Sequence, residues 1–300
     1  MQLSASEMLI PALWLIVGVL SSTAWNLSLR RIMKGEEDGA AASVVSNAAA
    51  TFAILPFILF LGAGFSFEGY VGMAGIPLDG WAACIAAAAL SVVFTYFSFK
   101  ASKVVEAGER AVVSRLNIFW ALLFAALFLG ESISMQKIVA VAIIFIASGL
   151  SVYRKGMTKW KMDGLQLIVI ASAFSAATGI AGKFGVAYMP PLVFAFFASA
   201  FLVIGLCAML GRGVVSRCAG IWKRKTLDLA VNGVAGAVFY AASFVAYTML
   251  PASIVIPIMA TAVVLTAIAG GILLGEKEGW VQKIAGAVLA LIGAYLIAGA

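Results

Sequence analysis

Few side chains in this 300-residue chain can do chemistry, and several of them fall at helical spacing. Asn232, Gly236, Tyr240, Ser243 and Tyr247 follow one another at steps of four, four, three and four, which places them on one helix face. In an apolar setting such residues either find partners inside the protein or face a watery path, so the stripe is a candidate pathway lining. Subtracting 145 gives Ala87, Ser91, Thr95, Ser98 and Ser102, again on one face. Small and hydroxyl residues also let helices approach closely. That reading suits Ser91, Thr95 and Ser98, whereas the bulk and polarity of Asn232, Tyr240 and Tyr247 favour lining.

Other polar residues extend the pattern. Gly18, Ser22, Trp25 and Asn26 cluster in one apolar run, Ser43, Asn47 and Thr51 in another, and Ser172, Ser175, Gly179 and Gly182 in a third. Trp25 offers a wall for a ring or a cation, or it belongs to an interfacial aromatic belt. Arg115 sits roughly 6 Å inside its apolar run at 1.5 Å per residue. Either it snorkels to the interface, or its planar fork meets a substrate carboxylate or phosphate. Asn117, about 200° further round a helix, points elsewhere. Glu106 and Arg110 are spaced to pair, Glu109 is the best-placed acid for proton coupling, and Glu131 and Glu276 each follow a helix-ending glycine as junction residues.

Several chemistries are excluded. There is no histidine, which removes Ser-His-Asp and Cys-His nucleophile systems and His-ligated metals. Cys84, Cys207 and Cys218 lie far apart and form no C-x-x-C pair. No catalytic residue, metal site or cofactor is expected.

The elements that must position these residues follow from composition. The chain is 64% apolar and 11% charged, against roughly 45–50% and about 25% for soluble domains. Ten apolar runs are long enough to cross a bilayer: 9–29, 41–61, 81–99, 110–130, 136–153, 164–184, 189–210, 228–248, 251–274 and 281–298. The first lacks a basic n-region and is read as a retained span. Eighteen of the 20 basic residues fall in or beside the breaks after odd-numbered spans, Lys137 and Lys183 being the exceptions. Positive residues mark the cytoplasmic side, so both termini are predicted on the outer, periplasmic side of an inner membrane. The net charge of +7 is then a record of insertion rather than a nucleic-acid footprint.

The halves are duplicated at the same offset of 145. Val93, Phe94, Ser98, Phe99 and Ala101 match Val238, Phe239, Ser243, Phe244 and Ala246, and Leu129-Gly130-Glu131 matches Leu274-Gly275-Glu276. After one inserted residue, Gln136-Lys137-Ile138 matches Gln282-Lys283-Ile284. Five spans per copy is odd, so the copies enter the membrane from opposite sides, the inverted-repeat plan of many secondary transporters.

The segments Phe124 to Ser132 and Pro251 to Glu276, with Gln136, Gly149, Gln282 and Gly293, resemble the repeat ends of EamA-type carriers in the drug/metabolite transporter superfamily. Ile118 stands where that family often has a proline. The resemblance implies an all-α polytopic membrane protein of ten transmembrane helices, built as two inverted five-helix repeats over 1–155 and 156–300. It implies a secondary transporter of small metabolites, and only the resemblance suggests export. The expected partners are a small-molecule substrate and the lipid bilayer, with no nucleic acid; the small-residue face Gly286, Ala290 and Ala294 could pack another helix or a second copy. The rival reading, a membrane-embedded enzyme or accessory subunit acting on lipid-linked substrates, finds no nucleophile–base pair.

Overall fold

The computed structural model describes residues 9–33, 38–61, 75–102, 113–152, 162–273 and 279–299. All regular structure among them is helical: α1 (Leu9–Met33), α2 (Gly39–Leu61), α3 (Leu78–Ser102), a 3-10 turn (Ser114–Leu116) leading into α4 (Asn117–Leu129), α5 (Met135–Val152), α6 (Met162–Gly185), α7 (Pro191–Leu210), α8 (Val214–Arg224), α9 (Thr226–Met249), α10 (Ala252–Ala260), α11 (Ala262–Leu273) and α12 (Trp280–Ala298). Eight stretches are long and apolar enough to cross a membrane, α10 and α11 together forming one of them. Two more, 114–129 and 135–151, are apolar but shorter, so the described residues give eight spans and two short helices where the sequence suggested ten spans.

Three local departures have physical causes. The eighth-span approach is not a plain loop, because Val214–Arg224 winds into the separate helix α8. The ninth span is divided at Thr261, whose amide bonds to Ile258 O at 3.0 Å, one turn after Pro257; proline has no N–H to give the helix ladder and crowds the carbonyl four residues back. The fourth span starts through the 3-10 turn, which sweeps roughly 120° per residue rather than 100° and shifts Arg115 relative to α4. Glu106, Glu109, Arg110 and Glu276 lie outside the described residues.

The chain forms two compact units, neither of which is a sequence half. The first comprises residues 1–89 and 181–249, the second 90–180 and 250–300. In the first unit α1 and α2 pack on α9, and α2 packs on α7 and α8. Glycine lets α9 approach α2 closely: a Cβ on Gly233 would fall 2.7 Å from Ala49 O, and one on Gly236 would fall 2.7 Å from Ala50 Cβ. One apolar cluster joins Ile54, Ala195 and Ala237, flanked by Phe57, Phe196 and Phe244. Another joins Cys84, Ala87, Met189 and Phe194.

In the second unit α12 packs along α5 and α10 packs on α4. The buried stripe of α12 is Lys283, Gly286, Ala290, Gly293 and Ile297. A Cβ on Gly286 would lie 2.0 Å from Ser151 Oγ, and one on Gly293 2.6 Å from Ile144 Cγ1. The small-residue face at Gly286 and Ala290 is therefore spent on α5 of the same chain. Helices this close rely on packing rather than on solvent exclusion, since lipid is as apolar as leucine.

Candidate functional site

In the first unit the α9 stripe separates into a saturated part and an aromatic part. Asn232 is fully buried. Its Oδ1 accepts from Ser46 Oγ at 2.5 Å and from Trp25 Nε1 at 3.2 Å. Its Nδ2 donates to Trp25 O at 3.0 Å and to Ser28 Oγ at 2.9 Å. An amide has two acceptor and two donor places, so all four are filled and the side chain ties α1, α2 and α9 together. Trp25 Nε1 also donates to Ser46 Oγ at 3.1 Å.

Two turns along α9 from Asn232, Tyr240 donates its hydroxyl to Asn47 Oδ1 at 3.1 Å, while Asn47 donates to Ser43 O at 2.9 Å. Trp25 has ring contacts with Phe239 and Tyr240, both at 5.5 Å between centroids. Tyr240 lies stacked beside Phe244 at 6.3 Å, and Phe244 is followed by Tyr247 at 6.0 Å. Ser243 is buried, and its Oγ has no partner. Lys183, near the end of α6, donates its ammonium to the carbonyl of Tyr247 in the last turn of α9, where a cation suits the helix dipole. Asn26 turns to its own helix, donating to Ser22 O at 2.8 Å.

In the second unit Ser91 donates to Thr178 Oγ1 at 3.3 Å, and Phe97 stacks near Phe174 at 6.1 Å, so α3 and α6 meet through a hydroxyl pair and a ring pair. Thr95 donates its hydroxyl to Ser91 O at 2.7 Å, a local bond that uses its donor and leaves its oxygen able to accept. Ser98 is half-buried.

The entry of α4 is different. Arg115 Nε, Asn117 Oδ1 and Trp120 Nε1 are all buried without a hydrogen-bond partner among the described residues. Two donors and one acceptor thus stand unsatisfied within six residues. Leaving a buried polar group unpaired costs about 1–3 kcal/mol, and such groups call for an explanation.

Sequence reasoning missed Ser28, Ser46 and Thr178, whose partners lie far along the chain. It also missed a role for Glu131, whose carboxylate accepts from the amides of Ala252 and Ser253 at 2.7 and 2.9 Å.

Comparison with known proteins addresses what this scaffold is. The model of the EamA-like transporter family matches the chain twice, over residues 9–153 and 162–299. The chain belongs to the EamA-like transporter family. It is thus a multi-pass membrane protein of the drug/metabolite transporter type, with the two-repeat architecture of that family. A solved structure titled "Crystal structure of protein" is 15% identical, covers 95% of both chains and has a TM-score of 0.71, which shows a shared fold. No curated protein matches the chain.

Proposed function

We propose that this EamA-family protein is a secondary transporter of small polar metabolites in the inner membrane, with export as its direction. It works by alternating access between two inverted five-helix repeats, residues 1–155 and 156–300, with ten spans and both termini on the periplasmic side. The observation that carries the substrate reading is the set of unpartnered atoms on Arg115, Asn117 and Trp120. An anionic or accepting ligand group complements Arg115 Nε or Trp120 Nε1, and a donor complements Asn117 Oδ1, which lies on a different side of the helix from Arg115. Trp25, Tyr240, Ser243 and Tyr247 in the first unit, and Ser91 and Ser98 in the second, are further lining candidates, whereas Asn232 ties three helices together and Thr95 and Asn26 donate within their own helices in the present state.

Long-range contacts support the topology. Glu131 with Ala252, Gln136 with Leu296 and Lys183 with Tyr247 each join ends that the charge count places outside. Asp38 with Arg217 and Trp25 with Asn232 each join ends that it places inside.

The test is uptake by proteoliposomes over a panel of anionic, zwitterionic and neutral metabolites. Saturable movement that is absent from empty vesicles and is lost for the anionic members in Arg115→Ala supports the reading. Absence of transport across the panel, or unchanged transport in that variant at normal protein levels, overturns it. A periplasm-active reporter fused after Ala300 tests the orientation: activity only in a cytoplasmic reporter reverses it.

A further inference from the structure

Helix α8 presents three faces. Val214, Cys218 and Ile221, at steps of four and three, share one arc and pack inward. Val214 and Ile221 are buried, and Cys218 Sγ donates to Ala41 O of α2 at 3.5 Å. Val215, Ala219 and Trp222, each one position further on, share a second arc roughly 100° round the helix, and all three are exposed. The third arc is polar and exposed, with Ser216, Arg217, Lys223 and Arg224. Arg217 also fixes the docking of the inward face, since its Nη1 donates to Asp38 Oδ2 just before α2 at 2.6 Å.

The connections of α8 set its level in the membrane. Only residues 211–213 separate it from α7, and only Lys225 separates it from α9. At the second corner the Thr226 hydroxyl donates to Trp222 O at 2.8 Å. Helix α7 has 20 residues, roughly 30 Å at 1.5 Å per residue, which is about the hydrocarbon thickness of a bilayer. It therefore ends at the interface, and α9 starts there. An 11-residue helix tied this shortly to two spans stays at that level. Leu227, in the first turn of α9, is 79% exposed, so apolar outward-facing surface continues from Trp222 into the span.

We propose that α8 is an interfacial anchor whose face of Val215, Ala219 and Trp222 inserts between the headgroups and acyl chains of the adjoining leaflet. An apolar face carrying tryptophan beside a basic face is the make-up of helices that lie in the interface plane. Val215 and Trp222 are 65% and 41% exposed, and lipid removes that apolar area from water. The indole of Trp222 joins an apolar body to an N–H donor, which suits the headgroup level. Lys223 borders the same face, so its stem lies along the acyl boundary while its ammonium reaches the lipid phosphates. The occupant is the bilayer itself, because the face runs on into the exposed start of α9. The inference needs only that α7 and α9 span the membrane, and it stands apart from any substrate.

The test uses the full-length protein in phosphatidylcholine nanodiscs. The difference in emission between wild type and Trp222→Phe, which keeps an aromatic ring, isolates the signal of Trp222. Phosphatidylcholine brominated near the headgroup end of its acyl chains should quench that signal severalfold more than aqueous iodide does. Stronger quenching by iodide shows a solvated face, and protection from both quenchers shows a face covered by protein, a second copy included; either result overturns the proposal. A second measurement places a nitroxide at Val215→Cys, Ser216→Cys or Ala219→Cys in a variant lacking the three native cysteines. The ratio of collisions with oxygen to collisions with a water-soluble nickel chelate should be severalfold higher at positions 215 and 219 than at 216. Equal ratios at the three positions overturn the anchor. If the cysteine-free protein does not fold, the Trp222 measurement decides alone.

Discussion

The carboxylate of Glu131 caps the helix that begins at Ala252, 121 positions later in the chain, accepting both Ala252 N at 2.7 Å and Ser253 N at 2.9 Å. Pro251 precedes that helix and supplies no side-chain cap of its own. The acid that ends the fourth span of one repeat therefore serves the ninth span, in the other. Carboxylates are favoured at helix N-termini because free amides and the helix dipole converge there. Glu131→Gln keeps one accepting oxygen and loses the charge, at a cost of about 1 kcal/mol, and Glu131→Ala loses both bonds at about 2 kcal/mol. Thermal midpoints in detergent should fall in that order. Equal midpoints in the three proteins would show that the cap carries no stability.

Asn232 and Tyr240 share a stripe on α9 but should behave oppositely. Asn232→Ala strips partners from Trp25, Ser28 and Ser46, so it should lower stability by about 2–4 kcal/mol at the upper end of such effects. It should leave the KM of the surviving folded fraction unchanged. Tyr240→Phe removes one hydroxyl bond to Asn47 and should change KM with little loss of midpoint. Parallel transport and melting measurements separate the two. A KM shift confined to Asn232→Ala would exchange their roles.

Eight of the expected ten spans, the duplication and the common helix face of the α9 stripe were legible in the sequence because each is a local or strictly periodic signal. The division of labour within the stripe was not. Asn232 looks like a lining residue until Trp25, Ser28 and Ser46 arrive from more than 180 positions away. Glu131 gave only its place after Gly130, since its partners are backbone amides that carry no sequence signature. The basic residues around α8 counted only towards the break after the seventh span, and the helix itself was not foreseen. The choice for Arg115 between snorkelling and facing a cavity could not be made from its depth. The buried, unpartnered Nε is the structural observation that bears on it.

The α5–α12 seam makes a prediction in which rescue should be partial. Gly286→Ala would place a Cβ 2.0 Å from Ser151 Oγ and 2.7 Å from Ala147 O. Ser151→Ala removes the first obstacle and leaves the backbone oxygen. The single Gly286→Ala variant should lose about 1–3 kcal/mol through overpacking, and the double variant with Ser151→Ala should recover part of that loss. Full recovery of the thermal midpoint would show that the helices slide apart freely, and no recovery would place the strain wholly on Ala147.

Cys218 offers a pH readout of how α8 docks. Burial raises its thiol pKa most; Cys207 and then Asp38 push in the same direction, and Arg217 opposes them. The thiolate is the reactive form, so alkylation at neutral pH should be slower than for a free cysteine. The rate should keep climbing at pH values where a free thiol has levelled off. Arg217→Ala removes the positive charge that opposes them and, with α8 still docked, should slow the reaction further and move the profile to higher pH. Faster alkylation in that variant would mean instead that the Arg217–Asp38 pair holds α8 against α2, and that losing it exposes the sulfur. Circular dichroism and the midpoint of the same variant distinguish a shifted titration from a detached helix.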